Sequence, residues 1–172
     1  QMRIAYENND KEAFKKHSEE LLTLISDLDR LLATRKDFLL GPWIADARSW
    51  GTTPEEKALY ERNARDLITL WGGPDNPLHE YSCRQWSGVL DDFYKPRWQQ
   101  FIADVEANWG DFDQEVFDEK IKEWEWKWVN KEEAYPTQPS GDSYKVAKAL
   151  YDKYRSKIAP ITQIMPPIDY NY

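Results

Sequence analysis

An all-α protein, a compact bundle of about six helices, is what three features of the sequence predict. Apolar residues recur at intervals of three and four, as in Leu21, Ile25, Leu28 and Leu32. Capping residues stand directly ahead of several such runs. No stretch alternates apolar and polar residues with β-branched enrichment, and no Asn-Gly or Asp-Gly turn joins two such stretches.

The first helix runs from about Phe14 through Leu32. Phe38-Leu39-Leu40 and Trp43-Ile44 form a second apolar stretch, broken by Gly41-Pro42 and continuing as a short helix to about Trp50. Thr53-Pro54-Glu55-Glu56 combines a Thr cap, a first-turn Pro and a Glu three residues after the cap. Leu59, Tyr60, Ala64, Leu67 and Ile68 give that helix a buried face up to about Trp71. Gly72-Gly73-Pro74-Asp75-Asn76-Pro77 stops it and reads as a loop.

A further helical pattern spans Leu78 to Ala107, with Tyr81 and Trp86 at its start. Pro96 predicts a kink or break near Lys95, because proline removes a donor and collides with the preceding turn. Asp113 caps a helix whose face carries Phe117, Ile121, Trp124 and Trp128. Tyr135 to Gly141 is a second loop, and Asp142 caps a last helix through Val146, Ala149, Leu150 and Tyr154. An extended tail is expected over 160–172. There is no fixed-period repeat, and residues 1–172 read as a single helical domain.

Composition narrows the function. With nine Trp, ten Tyr and six Phe, the chain is too rich in large apolar groups to be disordered. A net charge of −8 without a compact basic patch argues against nucleic acid. No apolar run approaches a membrane span. The single cysteine, Cys83, excludes an intramolecular disulfide. The start, Gln1-Met2-Arg3, does not read as a signal peptide, and a first residue of Gln suggests an excised segment.

Little points to catalysis within the chain. His79 and Cys83, four apart, would share a helix face, but two ligands do not make a zinc site and no third group orients a Cys-His nucleophile. The acid pairs Glu119/Glu123 and Asp111/Glu115 have the separation of glycosidase carboxylates, yet sit opposite the tryptophan stripe on a face expected to be wet. No glycine-rich phosphate loop or Gly-x-Ser-x-Gly elbow occurs. No cofactor and no metal are expected. Trp124 and Trp128 are assigned to core. Trp71 is different, because it borders the glycine loop, with Tyr81 and Trp86 across it; loop-edge aromatics on a rigid scaffold are positions that binding sites use.

Around this loop the sequence becomes familiar. Leu67-Ile68-Thr69-Leu70-Trp71-Gly72, Glu80-Tyr81, Arg84-Gln85-Trp86-Ser87-Gly88 and Tyr94-Lys95-Pro96-Arg97-Trp98 resemble the C-terminal helical region of glycoside hydrolase family 89, the α-N-acetylglucosaminidases. Phe38-Leu39-Leu40-Gly41-Pro42-Trp43 with Ala47-Arg48, and Tyr135-Pro136-Thr137-Gln138-Pro139-Ser140-Gly141-Asp142, resemble two flanking blocks, so the similarity runs from about Phe14 to Tyr154. Cys83 stands where the family pattern has Asn, and Glu80 where it has Asp.

The resemblance implies a retaining exo-glycosidase that removes terminal α-linked N-acetylglucosamine, working in a secreted, periplasmic or lysosomal setting. Its two catalytic glutamates lie in a preceding (β/α)8 barrel, which at about 250 residues cannot fit here. The chain is then the helical domain: its partners are the barrel of the same polypeptide and a glycan ending in α-N-acetylglucosamine. Trp71, Trp86 and Tyr81 become candidates for the pocket wall, with no catalytic residue among them. Two alternatives stay open from the residues themselves, a free-standing sugar-binding module and a protein-interaction bundle in which every Trp is core.

Overall fold

The computed structural model describes the backbone of residues 1–162 and the side chains of residues 1–158. Among them are seven α-helices and no strand. The first, α1 (Met2–Glu7), was not legible from periodicity: it spans six residues, has no capping side chain and buries only Ala5. So short a helix depends on tertiary packing, here Ala5 in a small core with Phe14, Ile102 and Val105. Tyr6 and Phe14 meet the Trp109 ring at 4.9 and 5.2 Å between centroids.

Asn9 turns the chain at positive φ, and the Asp10 carboxylate accepts the Ala13 N–H at 2.9 Å to start α2 (Lys11–Leu32). A 3-10 turn (Lys36–Phe38) leads into α3 (Leu40–Ser49). Gly41-Pro42 falls in the first turn of α3, where a proline N–H is not needed, so it begins the helix. A Cβ on Gly41 would lie 2.1 Å from the Pro136 carbonyl oxygen, so the close approach of the Tyr135–Pro136 backbone requires glycine.

The expected capping box opens α4 (Pro54–Ile68): Thr53 accepts the Glu56 N–H at 3.2 Å while the Glu56 carboxylate accepts the Thr53 N–H at 3.2 Å. The buried face of α4 differs from the expectation. Glu61, Ala64, Arg65 and Ile68 point inward, whereas Leu59, Tyr60 and Leu67 stay exposed. An ion pair can replace apolar side chains at the core when its hydrogen bonds are complete. Arg65 Nε and Nη2 donate to Glu61 at 3.1 and 2.8 Å, and Glu61 also accepts from Arg48 and from the Glu133 N–H. Arg65 in turn lies 4.8 Å from the Trp128 ring and donates to the Tyr135 hydroxyl at 3.0 Å.

The helix expected from Leu78 does not form, and Tyr81 and Trp86 therefore do not begin one. Residues 69–88 instead make a long irregular segment, and helical backbone resumes at Val89. Glu80 and Cys83 hold positive φ there, which no helix permits. Ser87 pairs with Leu39 as an isolated parallel bridge: Leu40 N–H donates to the Ser87 carbonyl at 3.0 Å, and Ser87 N–H to Phe38 at 2.8 Å. Asp29 of α2 then accepts from the Gly88 N–H at 2.7 Å and the Ser87 hydroxyl at 2.9 Å.

The break expected near Lys95 is a change of helix type. A π-helical turn (Leu90–Tyr94) runs directly into α5 (Lys95–Ala107), and the proline sits in the first turn of α5. A π turn is itself a departure from the regular α-helical ladder, placed where the proline removes a donor. Asp113 caps α6 (Gln114–Val129) by accepting the Glu115 and Val116 N–H groups at 2.9 and 3.2 Å. Trp128 and Phe93 form the centre of the main core with Leu40, Ile44, Ile68, Leu70 and Val89, and Trp124 stacks on Phe93.

Asp142 accepts the Lys145 N–H at 3.0 Å ahead of α7 (Ser143–Thr162). Polar contacts fasten α7 to α2: Tyr154 and Lys153 donate to Asp27, and Lys157 donates to Glu20 at 2.9 Å. The helix continues past Pro160 to Thr162, so residues 160–162 are not extended. The remainder of the expected tail, 163–172, lies outside the described residues.

Candidate functional site

The segment 69–88 carries all three candidate aromatics, and its shape follows from a few local bonds. At the end of α4 the Trp71 N–H returns to the Asp66 carbonyl at 2.8 Å, with Trp71 at φ 58°. A bulky residue in the left-handed region is strained, and such strain persists where surrounding structure holds it. The Asp66 carboxylate accepts the Gly72 N–H at 3.1 Å. Burial pushes the Asp66 carboxyl above its ordinary value, against the pull of that N–H. Asn76 closes the turn by donating Nδ2 to the Trp71 carbonyl at 2.6 Å and accepting the Leu78 N–H at 2.9 Å.

Gly72 is required on two grounds: its φ is 149°, and a Cβ would sit 2.2 Å from Asn76 Nδ2. The returning chain is stitched to the helix end by the Glu80 N–H, 2.6 Å from the Thr69 carbonyl, and by the Ser82 hydroxyl, 3.2 Å from the Leu67 carbonyl.

This geometry brings Trp71 and Tyr81 together. Their rings are 5.2 Å apart and tilted by 52°, with Tyr81 exposed and Trp71 half-buried. Trp86 is elsewhere. It meets Trp43 edge-on at 5.9 Å and packs on the main core, while the Arg84 guanidinium lies 5.5 Å from its ring centre. The first two aromatics meet at the edge of the loop, and the third is partly buried against the core.

An ionic clamp that the sequence reading missed fastens this loop to the body. Arg97 of α5 is ion-paired with Glu80 of the loop and donates to Glu125 of α6 at 3.0 Å. Burial works against the Arg97 charge, yet Glu80 and Glu125 hold the guanidinium more firmly protonated than usual. The available signal was Glu125 itself, a carboxylate on the same helical stripe as Phe117, Ile121 and Trp128. The ring of His79 is turned inward, with a buried Nε2, and lines a groove of about 560 Å3 together with Arg97, Trp98, Phe117 and Glu125.

The other candidates separate. Cys83 is exposed, and the helix that would have paired it with His79 is absent. Glu119 and Glu123 are exposed and engaged by Lys122 and Lys127 at 2.7 and 2.6 Å, and Asp111 and Glu115 are exposed as well. The buried carboxylates Glu61 and Glu125 and the half-buried Asp92 are each held by a cation. For Asp92, burial is outweighed by Lys131, Tyr135 and Trp128, which keep its carboxyl below the usual range. Among the described residues no cluster of three or more His, Cys, Asp or Glu side chains could hold a metal ion, and no helix is long and apolar enough to cross a membrane.

Comparison with known proteins places this arrangement. The family described as the α-N-acetylglucosaminidase (NAGLU) C-terminal domain matches residues 1–153. Human α-N-acetylglucosaminidase is 36% identical over 134 residues, covering 76% of this chain and 18% of the human protein. A family 89 glycoside hydrolase from Clostridium perfringens, in complex with 2-acetamido-1,2-dideoxynojirmycin, superposes with a TM-score of 0.77 at 36% identity, over 89% of this chain and 18% of that one. A form of the C. perfringens enzyme with two Glu-to-Gln substitutions, in complex with its substrate GlcNAc-alpha-1,4-galactose, gives the same TM-score at 35% identity, over 91% of this chain and 19% of that one. The chain thus spans under a fifth of the length of these relatives, and it belongs to the family of C-terminal domains of glycoside hydrolase family 89 α-N-acetylglucosaminidases.

Proposed function

We propose that this chain is the helical part of an enzyme that removes terminal α-linked N-acetylglucosamine from glycans, and that its loop 69–88 forms one wall of the sugar pocket. The observation that carries this reading is Trp71 itself: a large aromatic held at φ 58°, braced by Asn76 and Asp66, and paired with exposed Tyr81. Strained residues on well-anchored loops are what functional sites draw on. The indole and phenol rings pack against the apolar face of the sugar and exclude water from the bond being broken.

In this reading the acid and the nucleophile are two carboxylates, about 5–5.5 Å apart in a retaining enzyme, supplied by a catalytic barrel on the same polypeptide. The chain, in this reading, positions the sugar and supplies no catalytic residue. The compartment that goes with such an activity is secreted, periplasmic or lysosomal. The test is steady-state kinetics of the full-length enzyme on an aryl α-N-acetylglucosaminide. Trp71→Ala lowers kcat/KM while the enzyme stays folded; an unchanged kcat/KM would remove Trp71 from the pocket.

A further inference from the structure

Periodicity places Leu59, Tyr60 and Leu67 on a buried face, yet they are 43%, 39% and 42% exposed. Trp50, just past the end of α3, is 80% exposed, more than any other large apolar side chain among the described residues. Tyr60, Asn63, Ala64 and Leu67 form one stripe along α4, and with Ala47 and Trp50 they line a shallow depression of about 280 Å3. No charged side chain lines that depression. Tyr151 on α7, by contrast, lies beneath the Arg155 guanidinium. An uncharged aromatic stripe of this kind marks an interaction surface.

We infer that the stripe from Trp50 through Tyr60 to Leu67 is the face on which the catalytic portion of the same polypeptide docks. Two observations choose this occupant over others. The chain accounts for 18% of the human relative's length, so most of a family member's chain lies outside it. The stripe also ends where the loop 69–88 is tied to α4, since the Ser82 hydroxyl, next in the chain to Tyr81, bonds the Leu67 carbonyl. Aromatic side chains at such a centre supply most of the interface energy. The inference rests on the reading of this chain as part of a longer glycosidase, and not on Trp71 touching sugar.

Hydroxyl-radical footprinting of the full-length enzyme tests it. Trp50 and Tyr60 are expected to oxidise roughly tenfold or more slowly than Tyr144 and Tyr151, as burial in a packed interface core requires, although Trp50 and Tyr144 are equally open in the isolated fold, at 80% and 76%. Leu67→Asp, which puts a charge at a position 42% exposed, is expected to restore oxidation of Trp50 and Tyr60 while the protection of core residues is unchanged. Oxidation of Trp50 and Tyr60 as fast as Tyr144 in the unmodified enzyme overturns the inference. So does protection that grows with enzyme concentration, which assigns the face to a second copy. The readout needs no substrate: unchanged kinetics in Trp71→Ala with Trp50 protected removes the sugar wall and leaves the docking face, and the converse removes the docking face alone.

Discussion

Arg97 is ion-paired with Glu80, so a loop built from left-handed residues is fastened to α5 and, through Glu125, to α6. Glu125 is 3% exposed and Arg97 is its partner. Removing one member of a buried pair leaves an uncompensated charge and costs about 3–5 kcal/mol. Arg97→Ala is expected to show a loss of that order in urea unfolding, and Arg97→Ala with Glu125→Ala less than the sum of the two single changes. The amide of Glu80, bonded to the Thr69 carbonyl, should exchange its hydrogen faster in Arg97→Ala. Unaltered exchange at Glu80 would show that the loop does not depend on the clamp.

The loop turn gives a sharper contrast. Gly72→Ala forces a left-handed strain and drives Cβ into Asn76, whereas a Cβ on Gly73 meets nothing within 4 Å. Gly73→Ala should be neutral or stabilising by about 0.4–1 kcal/mol through the unfolded chain, and Gly72→Ala destabilising by more than that. Thermal unfolding of the two variants decides it. Equal effects would mean that Asn76 does not hold the turn.

Acid stability follows from carboxylates whose environments act in opposite directions. Burial of Asp92 is outweighed by its three partners, and burial of Glu61 by the Glu133 N–H, Arg65 and Arg48, so both are held low. Their stabilisation is full above the unfolded values, about 3.9 for Asp and 4.3 for Glu, and is lost as pH falls through the lower folded values. Glu20, held by Lys157 and His17 at about 2, adds to the same window. Burial raises Asp66 and Asp29, so their ionised forms oppose folding at neutral pH and the penalty is relieved on acidification. Urea unfolding from pH 7 to 2 should find Asp92→Asn weakened at pH 7 and less sensitive to acid below pH 4. Asp66→Asn should be neutral or stabilised at pH 7. A destabilised Asp66→Asn would show that the carboxylate charge, and not its oxygen, holds Gly72.

These residues also show what the sequence could and could not disclose. The Thr53–Glu56 capping box and the caps at Asp113 and Asp142 are written within four residues and were legible. The bridge of Ser87 to Leu39 joins positions 48 residues apart, and it overrides local helical periodicity between Leu78 and Trp86. The face of α4 was misread because hydrophobicity alone assigns Glu61 and Arg65 to solvent. Only the fold reveals that Arg48, Glu133 and Tyr135 complete their bonds. Of the three aromatics that the glycine loop brought forward, Trp71 and Tyr81 meet at 5.2 Å, while Trp86 lies in the irregular segment and packs against Trp43 of α3.

That division yields a last prediction, on what each tryptophan does. Trp86 packs against the main core and Trp43, so Trp86→Ala in the full-length enzyme should cost about 3 kcal/mol of stability, near the lower end for large aromatic truncation. Its kcat/KM, measured where the enzyme remains folded, should change little. Trp71 sits where its own backbone is strained, and glycine adopts φ 58° without penalty. Trp71→Gly therefore regains part of the roughly 1–3 kcal/mol of strain while losing the ring, and stability should stay close to that of the unmodified enzyme. Activity should not. A sugar no longer positioned by the wall reacts on the order of 100-fold more slowly in kcat/KM. The measurement is the pair of values for each variant, unfolding free energy and kcat/KM. Stability lost in Trp71→Gly with kcat/KM intact would make Trp71 a packing residue like Trp86, and the pocket wall would have to be sought on another face of the bundle.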